Sequence, residues 1–153
     1  MDGARLLVVG VRIPVPVAAK QSGDGASICV GCGLCCDGTL FSHLGVLDDA
    51  DLGIPLRQLG VEVIAEADPP VFALPCPALA DGACTVYHRH RPRACGWFEC
   101  DLLVAVGAGT TSPDEARATI AATLALRDQV RAGTADEAEL RRRVVARFRA
   151  DAG

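Results

Sequence analysis

The sequence predicts an α+β fold: a small irregular domain with few short strands, followed by a C-terminal helical hairpin. Three observations predict it. Apolar runs in the first two thirds are short and broken by Gly and Pro, which allows only short strands. Eight cysteines fall in two groups within that same part, and cross-linking by them would substitute for long regular elements. Two helix-start signals followed by apolar stripes then occupy the last forty or so residues. The division expected is 1–110 for the cysteine-bearing part with its N-terminal arm, and 111–153 for the hairpin packed on it.

In order, Arg5 to Ile13 reads as one strand, with Pro14 and Pro16 confining the next residues to an edge or an extended arm. Gln21 to Ala26, rich in Ser, Gly and Asp, is a loop leading to the cysteine run. Thr39 to Leu47 alternates loosely and reads as a short strand. A short helix comes next near 54–59, stopped by Gly60, with Leu52, Leu56 and Leu59 at helical spacing and Pro55 weakening its first turn. Val61 to Ile64 is a strand, and 67–77 is a proline-punctuated connection. The turn 80–83 (Ala-Asp-Gly-Ala) introduces a small strand from Cys84 to Tyr87. From Pro92 the chain reads as helical through about Val106, carrying Cys95 and Cys100. Ser112-Pro113-Asp114-Glu115 is a capping box with proline at the first helical position. Ile120 and Leu124 continue its stripe, and Gly133 stops it. Thr134-Ala135-Asp136-Glu137 repeats the start signal, and Leu140, Val144 and Phe148 supply the second stripe.

The chain has 153 residues, half of them apolar, which excludes disorder over its length and suits one domain. Its aromatic residues are four Phe, one Trp and one Tyr, so small aliphatics build the core. A formal net charge of -4 argues against a nucleic-acid partner. No run is long enough to span a bilayer. The apolar run from Leu6 to Val11 is followed by Arg12, Pro14 and Pro16, with no clean small-residue cleavage site, which does not fit a secretory signal. A soluble cytoplasmic protein is expected, with reduced thiols available to metal rather than tied in a disulfide framework.

The run Cys29-Val30-Gly31-Cys32-Gly33-Leu34-Cys35-Cys36 reads C-x2-C-x2-C-C. A C-x2-C turn brings two thiolates onto one ion, and three thiols at this spacing form the first part of the bacterial ferredoxin signature. Adjacent Cys35 and Cys36 do not readily serve one small ion, because neighbouring side chains of an extended segment point apart. Two centres, or one cluster and a separate ion, are the resulting alternatives. The second group is Cys76, Cys84, Cys95 and Cys100. Cys76 precedes Pro77, a step that also marks the remote ligand of the ferredoxin pattern. Cys29, Cys32, Cys35 and Cys76 are therefore the expected cluster ligands. Cys95, in a first helical turn, faces free N–H groups that favour a thiolate.

These residues resemble the CxxCxxCC family. The resemblance is carried by Cys29 to Cys36, Cys76-Pro-Ala-Leu, Asp81-Gly-Ala-Cys84-Thr-Val-Tyr87 and Arg91-Pro-Arg-Ala-Cys95, covering roughly residues 28–100. Its members are bacterial proteins described as zinc- or iron-chelating, or as iron–sulfur cysteine cluster proteins. The resemblance implies a metal domain with Cys29, Cys32, Cys35, Cys36, Cys76, Cys84 and Cys95 as ligands. Flagellin lysine methylases contain a similar arrangement. Two departures stand out: three residues separate Tyr87 from Arg91-Pro92 where the family has two, and Cys100 lies beyond the motif.

An iron–sulfur cluster is favoured over zinc, because zinc usually takes separated C-x2-C pairs and the glycines at 31 and 33 admit N–H donation to sulfide. Electron transfer, or cluster-dependent chemistry on a small molecule or protein, is the function expected. The alternative is a zinc-stabilised interaction module without catalysis. His88 and His90 flank Arg89 near two of the thiols, with exposure on an arginine-rich turn as the plainer reading. His43 reads as a core residue. Asp37 is a ligand, a cap or neither. Arg89, Arg91 and Arg93 form a basic patch that would receive an anion, balance thiolate charge or simply be solvated. Trp97 and Phe98 are expected to cover the site. Arg141, Arg142, Arg143, Arg147 and Arg149 give the last helix a solvated face, or a docking face for a redox or protein partner. A radical C-x3-C-x2-C pattern fails at Thr39, and there is no phosphate loop, dinucleotide fingerprint or nucleophile elbow.

Overall fold

A computed structural model describes residues 6–8, 11–13, 28–46, 48–89 and 91–148. It is α+β, as the sequence predicts. Strands β1 (Leu6–Val8) and β2 (Val11–Ile13) pair antiparallel with Val8 opposite Val11. This corrects the single strand expected there: the apolar run forms two strands that pair with each other. The arm at Pro14 and Pro16 and the loop at 21–26 lie outside the described residues.

Strands β3 (His43–Gly45), β4 (Val63–Ile64) and β5 (Val71–Ala73) form an antiparallel sheet in the order β3-β5-β4. The central strand corrects the connection expected over 67–77. Prolines at 69, 70 and 75 bracket Val71-Phe72-Ala73 without entering it, so its ladder hydrogen bonds are intact. Phe72 stands opposite both Leu44 and Val63 and is fully buried. Helix α1 (Ile54–Gln58) precedes Gly60, whose φ of 81° ends it as expected.

Strands β6 (Leu79–Ala80) and β7 (Ala83–Cys84) form a hairpin closed by Asp81 and Gly82, with φ of 50° and 76°. Two positive φ values at a two-residue loop match the twist of the strands it joins. The single helix expected from Pro92 is instead two. Helix α2 (Arg93–Trp97) ends at Phe98, whose backbone is extended, and α3 (Asp101–Gly107) starts afresh with Cys100 as its cap.

Helices α4 (Pro113–Arg131) and α5 (Glu137–Phe148) make the predicted hairpin. Ser112 and Glu115 exchange the two hydrogen bonds of the capping box. The start of α5 differs in detail. Asp136, not Thr134, receives the N–H of Ala138, while the Thr134 hydroxyl donates to the Gln129 carbonyl. One buried cluster joins the cysteine run, the central sheet and the hairpin, including Leu34, Phe72, Ile120 and Phe148. No helix among the described residues is long and apolar enough to cross a membrane.

Candidate metal centre

The cysteine run is a tight coil held by its own backbone. Residues 28–30 form a helical turn, and the Cys32 amide donates to the Cys29 carbonyl at 3.1 Å. The Cys36 and Asp37 amides both donate to the Gly33 carbonyl, and the wholly buried Leu34 anchors the coil in the core. Gly33 has φ +67°, and a Cβ there would meet the Gly82 carbonyl oxygen at 3.1 Å and the Leu79 side chain at 3.3 Å. Glycine therefore lets the run press directly onto the β6–β7 hairpin.

That contact assembles the second group of thiols. The Cys76 amide donates to the Cys36 carbonyl at 2.7 Å, laying the Cys-Pro step beside the run. The hairpin then places Cys84 opposite Leu79, three residues beyond Cys76. Cys95 lies on α2. Cys100 caps α3, its Sγ accepting from the Leu103 amide at 3.4 Å.

All eight cysteines are free, all are partly buried, and all line one cavity of about 110 Å³ whose remaining wall is mostly apolar. Among the described residues, no three His, Cys, Asp or Glu side chains converge closely enough to hold one ion. The thiols surround a volume instead of meeting at a point.

Burial pushes the thiols away from ionisation, because a thiolate loses its hydration there. Cys29 is pushed up to about 11, and Cys32 and Cys36 to about 12. Cys35 and Cys95 rise further, and Cys76 and Cys100 rise as well, burial leading in each case. Mutual repulsion adds to burial and sorts the thiols into neighbourhoods. Cys29, Cys32 and Cys35 all feel Cys100 and one another. Cys36 feels Cys84 and Cys76, Cys76 feels Cys84, and Cys95 feels all three. Cys76, expected with Cys29, Cys32 and Cys35, lines the same cavity as they do, and its amide bonds the Cys36 carbonyl.

Two polar residues from the segment between Cys84 and Cys95 reach the cavity. The Arg91 guanidinium lies 4.2 Å from the Tyr87 ring centroid and pulls against the upward shift of both Cys29 and Cys95. Tyr87 feels both Cys29 and Cys84. Both residues line the cavity. The sequence singles out Arg91 within the basic patch of Arg89, Arg91 and Arg93, whereas Tyr87 stands out only as the end of the Asp81 to Tyr87 segment.

The remaining candidates disperse. Phe98 lines the cavity and packs edge-on against Phe41 with centroids 4.7 Å apart, as a cover should. Trp97 does not line it; the Arg93 guanidinium lies 5.9 Å from its ring. Arg93 also bonds Asp48 and the buried Asp51, so it clamps α2 and leaves the basic patch. Asp37 is buried, accepts from the Thr39 amide, and pairs with Arg127 at 2.6 Å. His88 is exposed and stacks edge-on against Tyr87, and His90 lies outside the described residues. His43 sits half-buried on β3, its Nδ1 2.9 Å from the Ser42 hydroxyl. Comparison with family models, curated proteins and solved structures finds no match to this chain.

Proposed function

We propose that this protein is an iron–sulfur protein of the cysteine-cluster type, working in electron transfer or in cluster-dependent chemistry on a small molecule or protein. The observation that carries the reading is the convergence of eight free thiols on one apolar-walled cavity. Thiolates are soft donors suited to iron–sulfur clusters and zinc, and the donor set fits such a centre. The C-x2-C-x2-C spacing favours the cluster over zinc, which usually takes separated C-x2-C pairs, in keeping with the resemblance to the CxxCxxCC family.

A bound cluster supplies one-electron redox chemistry. The chain's own contribution is to hold and shield it. Arg91 offsets negative charge at Cys29 and Cys95, and the paired rings of Phe41 and Phe98 supply apolar wall. Protein purified without oxygen should be brown, with broad visible absorption and iron plus acid-labile sulfide. A colourless protein with zinc as its only metal overturns the reading.

The second reading is a zinc-stabilised interaction module. The exposed Arg142 and Arg147 of α5 favour it, as a face for an acidic partner. Zinc-only metal content together with loss of partner capture on reversing both charges supports this alternative.

A further inference from the structure

We infer that the eight thiols form two separate four-thiol centres, Cys29/Cys32/Cys35/Cys100 and Cys36/Cys76/Cys84/Cys95, with the Cys35–Cys36 step as the fork between them. The inference deepens, and rests on, the reading of a thiol-bound metal centre.

The fork arises from local geometry. Cys35 and Cys36 lie in a turn fixed by the Cys36 and Asp37 amides on the Gly33 carbonyl, and successive side chains of such a helical turn leave it roughly 100° apart. The hydrogen bond from the Cys76 amide to the Cys36 carbonyl draws Cys76 to the Cys36 side. The two-residue turn at 81–82 folds Cys84 back toward Cys76. Cys76 and Cys84 pack on the smaller buried cluster of Leu56, Ala78 and Val86, which none of Cys29, Cys32, Cys35 and Cys100 touches; the larger cluster takes those four and also Cys76 and Cys95. The extended break at Phe98 separates Cys95 from Cys100, so one thiol stays on α2 and the other moves to the tip of α3. A continuous helix would carry them on one rigid rod. Every pairing within each set is also an electrostatic neighbour pair, while contacts across the sets involve only Cys36 with Cys35 and Cys32.

Cys100→Ser separates ligand from cap, because serine is a good N-cap and keeps the start of α3. In protein purified anaerobically, Cys100→Ser and Cys84→Ser should each lose about half of the bound metal, and the lost spectral components should be complementary. Cys100→Ser with Cys32→Ser should lose no more than either alone. Cys100→Ser with Cys84→Ser should lose all of it. Native mass spectrometry of the unaltered chain should show two bound centres, which keeps the test decisive where a variant folds poorly. The inference is overturned by one centre per unaltered chain, by full metal retention in Cys100→Ser, or by loss of the same component in Cys100→Ser and Cys84→Ser. A single centre that empties with any of the cysteines overturns the partition and leaves the iron–sulfur reading standing. A metal-free unaltered chain overturns both.

Discussion

A buried thiol in a metal-free protein is kept neutral by its surroundings, and this gives the cysteines a signature in stability. Burial, aided by neighbouring thiols, raises Cys29 to about 11 and Cys32 and Cys36 to about 12, from an ordinary value near 9. Above pH 9 the unfolded chain releases these protons while the folded chain holds them. Stability of the metal-free protein should therefore be retained below pH 9 and fall as pH rises from 9 toward 12. The loss is at most about 1.4 kcal/mol per pH unit for each such thiol. Loaded protein, whose thiols are already deprotonated on metal, should show a flatter profile; melting curves of both forms from pH 7 to 10.5 check this. Gly33 supports a second test at this scale. Gly33→Ala should cost about 1–2 kcal/mol from its left-handed backbone, and more as the Gly82 carbonyl is displaced. Gly31, with open space around it, should tolerate alanine far better. The thiols were legible because spacing alone announces them. Cys100 was not legible as a neighbour of Cys29, since the helix expected from Pro92 runs on through Gly96 to Cys100, and only the fold breaks it at Phe98. Arg91 was legible as part of the basic patch, whereas Tyr87 became a site residue only through the fold that sets its ring under the Arg91 guanidinium.

Between elements, the Asp37–Arg127 pair ties the cysteine run to α4. Asp37 is almost fully buried, and Arg127 and Arg131 both reach it from the helix. Burial opposes the charge of Arg127, but its hydrogen bonds to Asp128 and Asp37 outweigh it and hold the guanidinium ionised. Arg127→Ala leaves a buried carboxylate without its closest partner and should destabilise by about 3 kcal/mol. Asp37→Asn should cost less, because it removes the charge along with the demand for one; chemical denaturation of both single variants and the double variant measures the coupling. Ser112→Ala should cost about 1 kcal/mol by removing the cap of α4. The capping box was legible because it is a local signal written in adjacent residues. Strand β5 was not, because three residues between prolines carry too little periodicity, and only pairing with β3 and β4 makes them a strand.

At the scale of the molecule, the cavity is walled by both halves of the chain. Phe148, near the end of α5, lines it together with the cysteine run and the central sheet. Phe148→Ala should cost about 3–5 kcal/mol, the range for deleting a buried aromatic side chain, and should loosen metal retention, read by melting and by metal content after dialysis. The hairpin is thus part of the site's wall, which its amphipathic pattern alone does not reveal. The α+β class was legible from where the short and long apolar patterns lie. The closure of the two halves over the thiols was not, because it rests on long-range contacts such as Arg127 with Asp37. The most direct test of the central claim is X-ray absorption at the iron edge of the full chain purified without oxygen. An all-sulfur first shell with iron as the next neighbour is the result expected. Iron bound mainly by oxygen or nitrogen, or absorption at the zinc edge alone with four sulfurs, contradicts it.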